Sequence, residues 1–228
     1  MSRSTPGRPP KFSREQLAQV AFEIADREGF EAVSMRRVAQ ELGSGTMTIY
    51  HHVRTKDELV ALMDDRLMGE LLVGAEELAR PWRDALGAIL RRTYRLRVQH
   101  PWSLVALQNA GPGDNALRHG EQTLAALEGS PFSDEQKLRV MAVTDSFVDG
   151  HALHRAELTT ARPRDAAVSD RTRRLLETVE SGPYRHLRAS WTERGGWTPE
   201  AAAWMDESFE LGLTALLEGL VRLFSDQP

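Results

Sequence analysis

Apolar residues recur every three or four positions along almost all of this 228-residue chain, and no segment alternates apolar with polar residues in the manner of a half-buried strand. Ser13 and Gln16 have the spacing of a capping box, which predicts a first helix that begins there and ends near Gly29. The same signature opens two later helices, at Thr55 with Glu58 and at Ser133 with Gln136. The sequence therefore predicts an all-α fold.

Proline and glycine mark the ends of the other predicted helices. A second short helix follows Ser34 and stops at Gly43, whereas a long helix runs from Lys56 towards Arg80 until Pro81 ends it. Further helices are expected at residues 82–99, 101–109, 114–128, 134–158, 169–193 with a break near Gly182-Pro183, and 199–224. Short helices in the first ~50 residues bury little surface by themselves. We therefore expect a three-helix N-terminal unit that the long helix joins to a larger helical body.

Basic charge is concentrated near the N-terminus, although the formal net charge is −4. Residues 1–14 carry four basic side chains and no acid, and residues 34–56 carry four against Glu41 alone. This placement favours nucleic-acid contact through the first quarter of the chain. The sequence contains no cysteine, which excludes disulfides and fits the cytoplasm, and no apolar run long enough to suggest a membrane partner.

The segment GTMTIYHHV, residues 45–53, is a short helix with two different sides. At 3.6 residues per turn, Ile49 and Val53 fall together and are expected to anchor the helix. The other side presents Met47, Thr48, His51 and His52, flanked by Thr46 and Tyr50. A helix, a glycine-containing turn and such a second helix are typical of a helix-turn-helix, whose second helix enters a major groove. An ordinary surface helix is the alternative that spacing alone leaves open.

The stretch VSMRRVAQELGSGTMTIYHHVRTKDELVALMDD closely resembles the DNA-binding region of the tetracycline-repressor (TetR) family of bacterial regulators. The shared features are Ala39 and Leu42-Gly43 of the turn, Thr48-Ile49-Tyr50, the histidine pair, and Lys56 and Leu59. One departure is Ser44-Gly45, where many relatives have a small apolar residue and then serine, and it weakens the N-cap. The resemblance implies a flexible basic arm at 1–12, a helix-turn-helix domain at 13–56, and a helical effector-binding and dimerisation domain at 57–228.

The resemblance also implies which side chains contact DNA. Arg36 matches a base-contacting position, and its guanidinium fork suits guanine. Base edges or nearby phosphates would be met by Thr46, Met47, Thr48, His51 and His52, and phosphates by Tyr50 and Lys56. Lys56 opposes the dipole of the helix it opens, which suggests a phosphate partner, with a merely solvated charge as the alternative. The leader PGRPPK suggests general phosphate attraction, with minor-groove contact as the alternative.

The helical body resembles the C-terminal domain of the same family more weakly. An aromatic and apolar region with a few polar groups suits a small-molecule effector. The family arrangement implies that this pocket region contains Met63, Leu67, Tyr94, Trp102, Val105, Gln108, Phe147 and His151. Ordinary core packing is the alternative for each of them. His151 and His154 lack a third convergent ligand, so we expect no metal.

The last helix has a broad apolar face that suits a dimer interface. Its members are Phe209, Gly212, Leu213, Leu216 and Leu220. Because the family dimerises through helices near the C-terminus, we expect a four-helix bundle with the 134–158 helix of each subunit. Burial of this face inside its own domain is the alternative.

These inferences predict a ligand-responsive transcriptional regulator, most simply a repressor. A homodimer would bind a palindromic double-stranded operator and be released when a small-molecule effector favours the DNA-incompetent state. No cofactor is expected. A helical protein-interaction scaffold and an all-α enzyme are the alternatives, but the sequence contains no phosphate-binding glycine loop, nucleophile elbow or zinc-hydrolase motif.

Overall fold

The computed structural model describes residues 12–106, 111–160, 174–175, 177–192 and 201–225. Within those ranges every regular element is a helix, which confirms the all-α prediction. The chain divides into two compact units, Met1–Gly129 and Ser130–Pro228. The predicted basic arm, residues 1–12, lies outside the described residues apart from Phe12.

The first unit begins with three short helices, and both ends of the first helix match the prediction. The elements are α1 (Arg14–Glu28), a 3₁₀ turn (Phe30–Ala32), α2 (Met35–Glu41), α3 (Thr46–Tyr50), α4 (Lys56–Leu71), α5 (Ala75–Leu78), α6 (Trp82–Gln99), α7 (Ser103–Ala106) and α8 (Asp114–Ala126). Ser13 Oγ accepts the Gln16 N–H at 3.2 Å, and Gln16 Oε1 accepts the Ser13 N–H at 2.8 Å. Gly29 ends α1 at φ 89°, a backbone conformation that favours glycine.

One apolar core joins α1, α2 and α3 to α4 along most of its length. Its most deeply buried members are Leu17, Ala21, Ile24, Val38, Ile49, Val53, Leu59, Met63 and Leu67. The short helices therefore complete their core against α4, as expected for elements that bury too little surface by themselves. This packing fixes the position of α3 relative to α1 and α4.

The predicted long helix over residues 56–80 is wrong in one respect, because the structure ends α4 at Leu71 and resumes with α5. The side-chain amide of Gln122 on α8 explains the break. The Val73 N–H donates to Gln122 Oε1 at 2.9 Å, and Gln122 Nε2 donates to the Val73 carbonyl oxygen at 2.9 Å. Both backbone groups of Val73 are satisfied outside a helix, so the chain can leave the helical path here without leaving them unpaired.

The second unit contains α9 (Asp134–Thr160), α10 (Arg185–Thr192) and α11 (Ala201–Ser225). Residues 177–181 are also helical, and a bend at 182–183 confirms the predicted break. The Phe147 ring of α9 stacks on Phe209 of α11 with 5.5 Å between centroids. A Cβ atom at Gly212 would lie 2.8 Å from the Phe147 ring, so glycine permits α9 and α11 to approach closely here. No helix among the described residues combines the length and the apolar character needed to cross a membrane.

Candidate nucleic-acid interface

The third helix is buried on one side and open on the other. Ile49 and Val53 are both 0% exposed and belong to the core shared with α1 and α4. Met47 and Tyr50 are 72% and 43% exposed. The helical period therefore predicts correctly which residues anchor α3, and the structure keeps the opposite side free for a partner.

The side chains expected to contact DNA differ in exposure. Arg36, Met47, Tyr50, His51 and Lys56 are exposed, whereas Thr46, Thr48 and His52 are half-buried. No hydrogen bond or ion pair joins the side chains of Arg36 or His51 to another part of the chain that the structure describes. Both remain available as hydrogen-bonding groups for a base edge.

Arg14 holds the C-terminal end of α3 between α1 and α4. Its Nη1 atom donates to the His52 carbonyl oxygen at 2.9 Å and lies 2.6 Å from Glu58 Oε1. Glu58 Oε2 also accepts the Arg54 N–H at 2.7 Å, and this bond, followed by that of Arg14, lowers the pKa of the Glu58 carboxyl. The predicted capping box at Thr55 is thus half correct: Thr55 Oγ1 accepts the Glu58 N–H, but the glutamate bonds the preceding residue. The arginine bridge gives α3 a defined position on the N-terminal unit.

Neighbouring arginines on α2 have different surroundings. Arg37 lies 2.7 Å from Glu28 Oε1 and 2.6 Å from Glu41 Oε2, and Arg27 contacts the same two carboxylates. Hydrogen bonds from Arg37 and then Arg27 lower the pKa of Glu28 to about 2. The charge of Arg37 is therefore balanced within the protein, whereas the guanidinium of Arg36 is exposed.

Lys56 lies above an aromatic ring. Its Nζ atom is 5.1 Å from the centre of the Phe30 ring, in a cation–π arrangement. The side chain is exposed, so this contact leaves the ammonium accessible to solvent. Phe30 belongs to the 3₁₀ turn between α1 and α2. No local spacing predicts this contact, because the two residues are 26 positions apart.

The residues expected to line an effector pocket belong to both units. Met63 and Leu67 are 0% exposed in the core beneath α1 to α3, and Tyr94 is buried on α6. Trp102 packs against the same core. Phe147 and His151 belong to the second unit, with 4.3 Å between their ring centres. The side chain of Val105 and all of Gln108 lie outside the described residues.

The predicted dimer-interface residues are largely covered by their own chain. Phe209, Leu213 and Leu220 are buried in the second unit, while Gly212 and Leu216 are half-buried. Phe209 stacks on Phe147 of α9, which accounts for its burial. The large apolar residues of α11 and α9 that remain exposed are Trp204, Leu211, Leu223, Leu138, Val143 and Leu153.

A helix, a glycine-containing turn and a short helix that is anchored on one side and open on the other are typical of a helix-turn-helix DNA-binding protein. The sequence pattern of the bacterial regulatory proteins, tetR family, matches residues 17–63. The pattern of the tetracyclin repressor-like C-terminal domain matches residues 76–223. The chain belongs to the TetR family of bacterial transcriptional regulators.

Individual relatives agree with this assignment over most of the chain. The transcriptional repressor DrrR1 of Streptomyces coeruleorubidus is 31% identical over 224 residues, which cover 96% of this chain and 80% of the relative. The crystal structure of ActR from Streptomyces coelicolor in complex with actinorhodin is 26% identical with a TM-score of 0.72, and the match covers 92% of this chain and 96% of that one. The protein is a ligand-responsive DNA-binding regulator.

Proposed function

We propose that this protein is a homodimeric repressor that binds a palindromic double-stranded operator and is released by a small-molecule effector. The observation that carries the proposal is the burial of Ile49 and Val53 beneath the exposed Met47 and Tyr50. A helix fixed in this way presents a rigid surface to the major groove. The cytoplasmic location expected from the sequence is part of the same proposal.

Base reading is assigned to α3 and to one residue of α2. Arg36 would donate to guanine, and Thr46, Met47, Thr48, His51 and His52 would meet bases or adjacent phosphates. Tyr50 and Lys56 would bind phosphates through a hydroxyl and an ammonium. The exposure of Arg36 and the lack of an internal ion pair for it among the described residues support this role.

A second copy of the chain is the proposed partner of α9 and α11. Leu211 and Leu223 are 73% and 65% exposed on α11, and Trp204 is exposed on the same helix. Val143 and Leu153 are exposed on α9. Apolar side chains of this size at one helix pair favour burial against a like pair, which supports a four-helix bundle at the subunit interface. The effector is proposed to bind in the helical body, as the relative ActR binds actinorhodin.

The test is selection of bound duplexes from random sequence, followed by retention measurements over a range of salt concentrations. Specific binding predicts a palindromic consensus and a log–log salt slope of about −0.9 for each phosphate contacted. Lys56→Ala should flatten the slope and weaken all duplexes alike, whereas Arg36→Ala and His51→Ala should relax the consensus. Lys137→Ala is the matched control, since Lys137 pairs with Asp134 in the second unit. Failure of the protein to retain any duplex would refute the proposal.

A further inference from the structure

The turn between α6 and α7 is bonded to the last turns of α1. Asp26 Oδ1 accepts the indole N–H of Trp102 at 2.7 Å and lies 2.7 Å from His100 Nδ1. The Phe22 ring contacts both side chains in edge-to-face geometry. Its centre lies 4.7 Å from the centre of the His100 ring and 5.0 Å from the centre of the Trp102 ring system. Two hydrogen-bonded rings therefore dock this turn on the helix that begins the DNA-binding unit.

The other side of the Trp102 ring faces the 3₁₀ turn. The Trp102 and Phe30 rings are within 9° of parallel, with 6.1 Å between their centres, so they stack with an offset. Phe30 in turn lies beneath the ammonium of Lys56, 5.1 Å from Nζ. A continuous series of contacts thus leads from the α6–α7 turn to a side chain at the start of α4.

This arrangement restricts a side chain that is otherwise free to move. A lysine has a flexible four-carbon stem, and an exposed lysine loses much rotational freedom when it binds a phosphate. The face of Phe30 attracts the ammonium and narrows the positions that it samples before binding. Phe30 can do so only while its own ring is held, and Trp102 stacks against it.

We propose that Trp102 is a positioning residue for operator binding: it fixes the Phe30 ring, which places the Lys56 ammonium for a DNA phosphate. The inference rests on the proposed operator-binding function. In this proposal Trp102 supports a DNA contact rather than lining the effector pocket. It also means that a displacement of the α6–α7 turn changes a DNA contact through α1 and the 3₁₀ turn, without requiring α4 to move.

The experiment measures operator retention against salt concentration for wild type, Lys56→Ala, Trp102→Leu and the double variant. Loss of the Lys56 contact should reduce the magnitude of the log–log salt slope by about 0.9. Trp102→Leu should reduce the slope in the same direction by no more than that amount. The double variant should show the slope of Lys56→Ala, because a positioning residue has no effect once the residue that it positions is absent. Phe30→Leu should behave as Trp102→Leu does.

Three results overturn the inference while the wild type still retains duplex. In the first, Trp102→Leu and Phe30→Leu bind more weakly with the wild-type slope, which would show a general loss of folded protein. In the second, their effects on the slope add fully to that of Lys56→Ala. In the third, wild type and Lys56→Ala differ as expected while both ring variants match wild type, which would refute the positioning role and leave the proposed function intact. If wild type retains no duplex, both proposals fail together.

Two further variants separate positioning from stability. Trp82→Leu is the matched control, because Trp82 is also a half-buried tryptophan but begins α6 at its other end. It should leave the salt slope unchanged. Trp102→Phe keeps an aromatic ring against Phe30 and loses the hydrogen bond to Asp26, so it should recover most of the slope that Trp102→Leu loses. Equal slopes for the phenylalanine and leucine variants would contradict the stacking argument.

Discussion

Ile49→Ala should destabilise the protein strongly although Ile49 contacts no DNA. The side chain is 0% exposed in the core beneath α3, and the substitution removes three carbon atoms. At about 0.8 kcal/mol for each buried carbon group, the lost transfer free energy is ~2.4 kcal/mol. The cavity adds to this, so we expect the free energy of unfolding to fall by about 3 kcal/mol, within the range of roughly 2–5 known for such changes.

Met47→Ala, two positions away on the same helix, is the matched control. Met47 is 72% exposed, so its truncation should change the free energy of unfolding by less than about 0.5 kcal/mol. It should nevertheless weaken operator binding, because Met47 lies on the proposed DNA-facing side. Denaturant unfolding followed by circular dichroism gives the first quantity, and retention of a labelled duplex at a temperature where both variants are folded gives the second. A larger stability loss for Met47→Ala than for Ile49→Ala would refute the inside-outside assignment of α3.

Three other predictions concern the elements that support this helix. The folded-state pKa of Glu28, about 2, lies below its ordinary value of 4.5, so its ion pairs stabilise the fold above pH 4.5 and are lost as pH falls towards 2; Glu28→Gln should remove that part of the pH dependence of the melting temperature. Gly43→Ala should cost about 1 kcal/mol because Gly43 has φ 58°, whereas Gly45→Ala, at φ −75°, should show no such backbone cost in the same unfolding assay. Gln122→Leu should cost about 1–3 kcal/mol by leaving the Val73 backbone groups unpaired, and an unchanged free energy of unfolding would contradict the bracing of the α4–α5 break.

Local patterns were sufficient to predict both ends of α1 and the orientation of α3. The capping box joins Ser13 to Gln16, and at the other end of α1 the Gly29 N–H donates to the Ala25 carbonyl oxygen. Each contact spans about one helical turn, so local sequence spacing predicts it. The helical period likewise separates Ile49 and Val53 from Met47, because burial follows the side of the helix. The family resemblance added the DNA-binding role, which spacing alone left open.

Contacts between distant residues could not be predicted in this way. Trp102 and Asp26 are 76 positions apart, and Gln122 and Val73 are 49 apart, so no local spacing relates them. The family arrangement implies an effector-pocket role for Trp102, and no local pattern predicts that its ring and its N–H contact α1 and the 3₁₀ turn. The sequence pattern also predicts that α4 continues through residues 72–74, because nothing near them marks the end of a helix as clearly as Pro81 does.

The ion network of α1 and α2 gives the adjacent residues Arg36 and Arg37 different roles. Only Arg37 belongs to the network. Arg27 and Arg37 together face Glu28 and Glu41, so those charges are paired with one another at the protein surface. Attraction of the polyanion by α2 consequently depends on the single guanidinium at position 36. An engineer who wishes to change operator preference can vary that one position while leaving its neighbour to keep the two helices together.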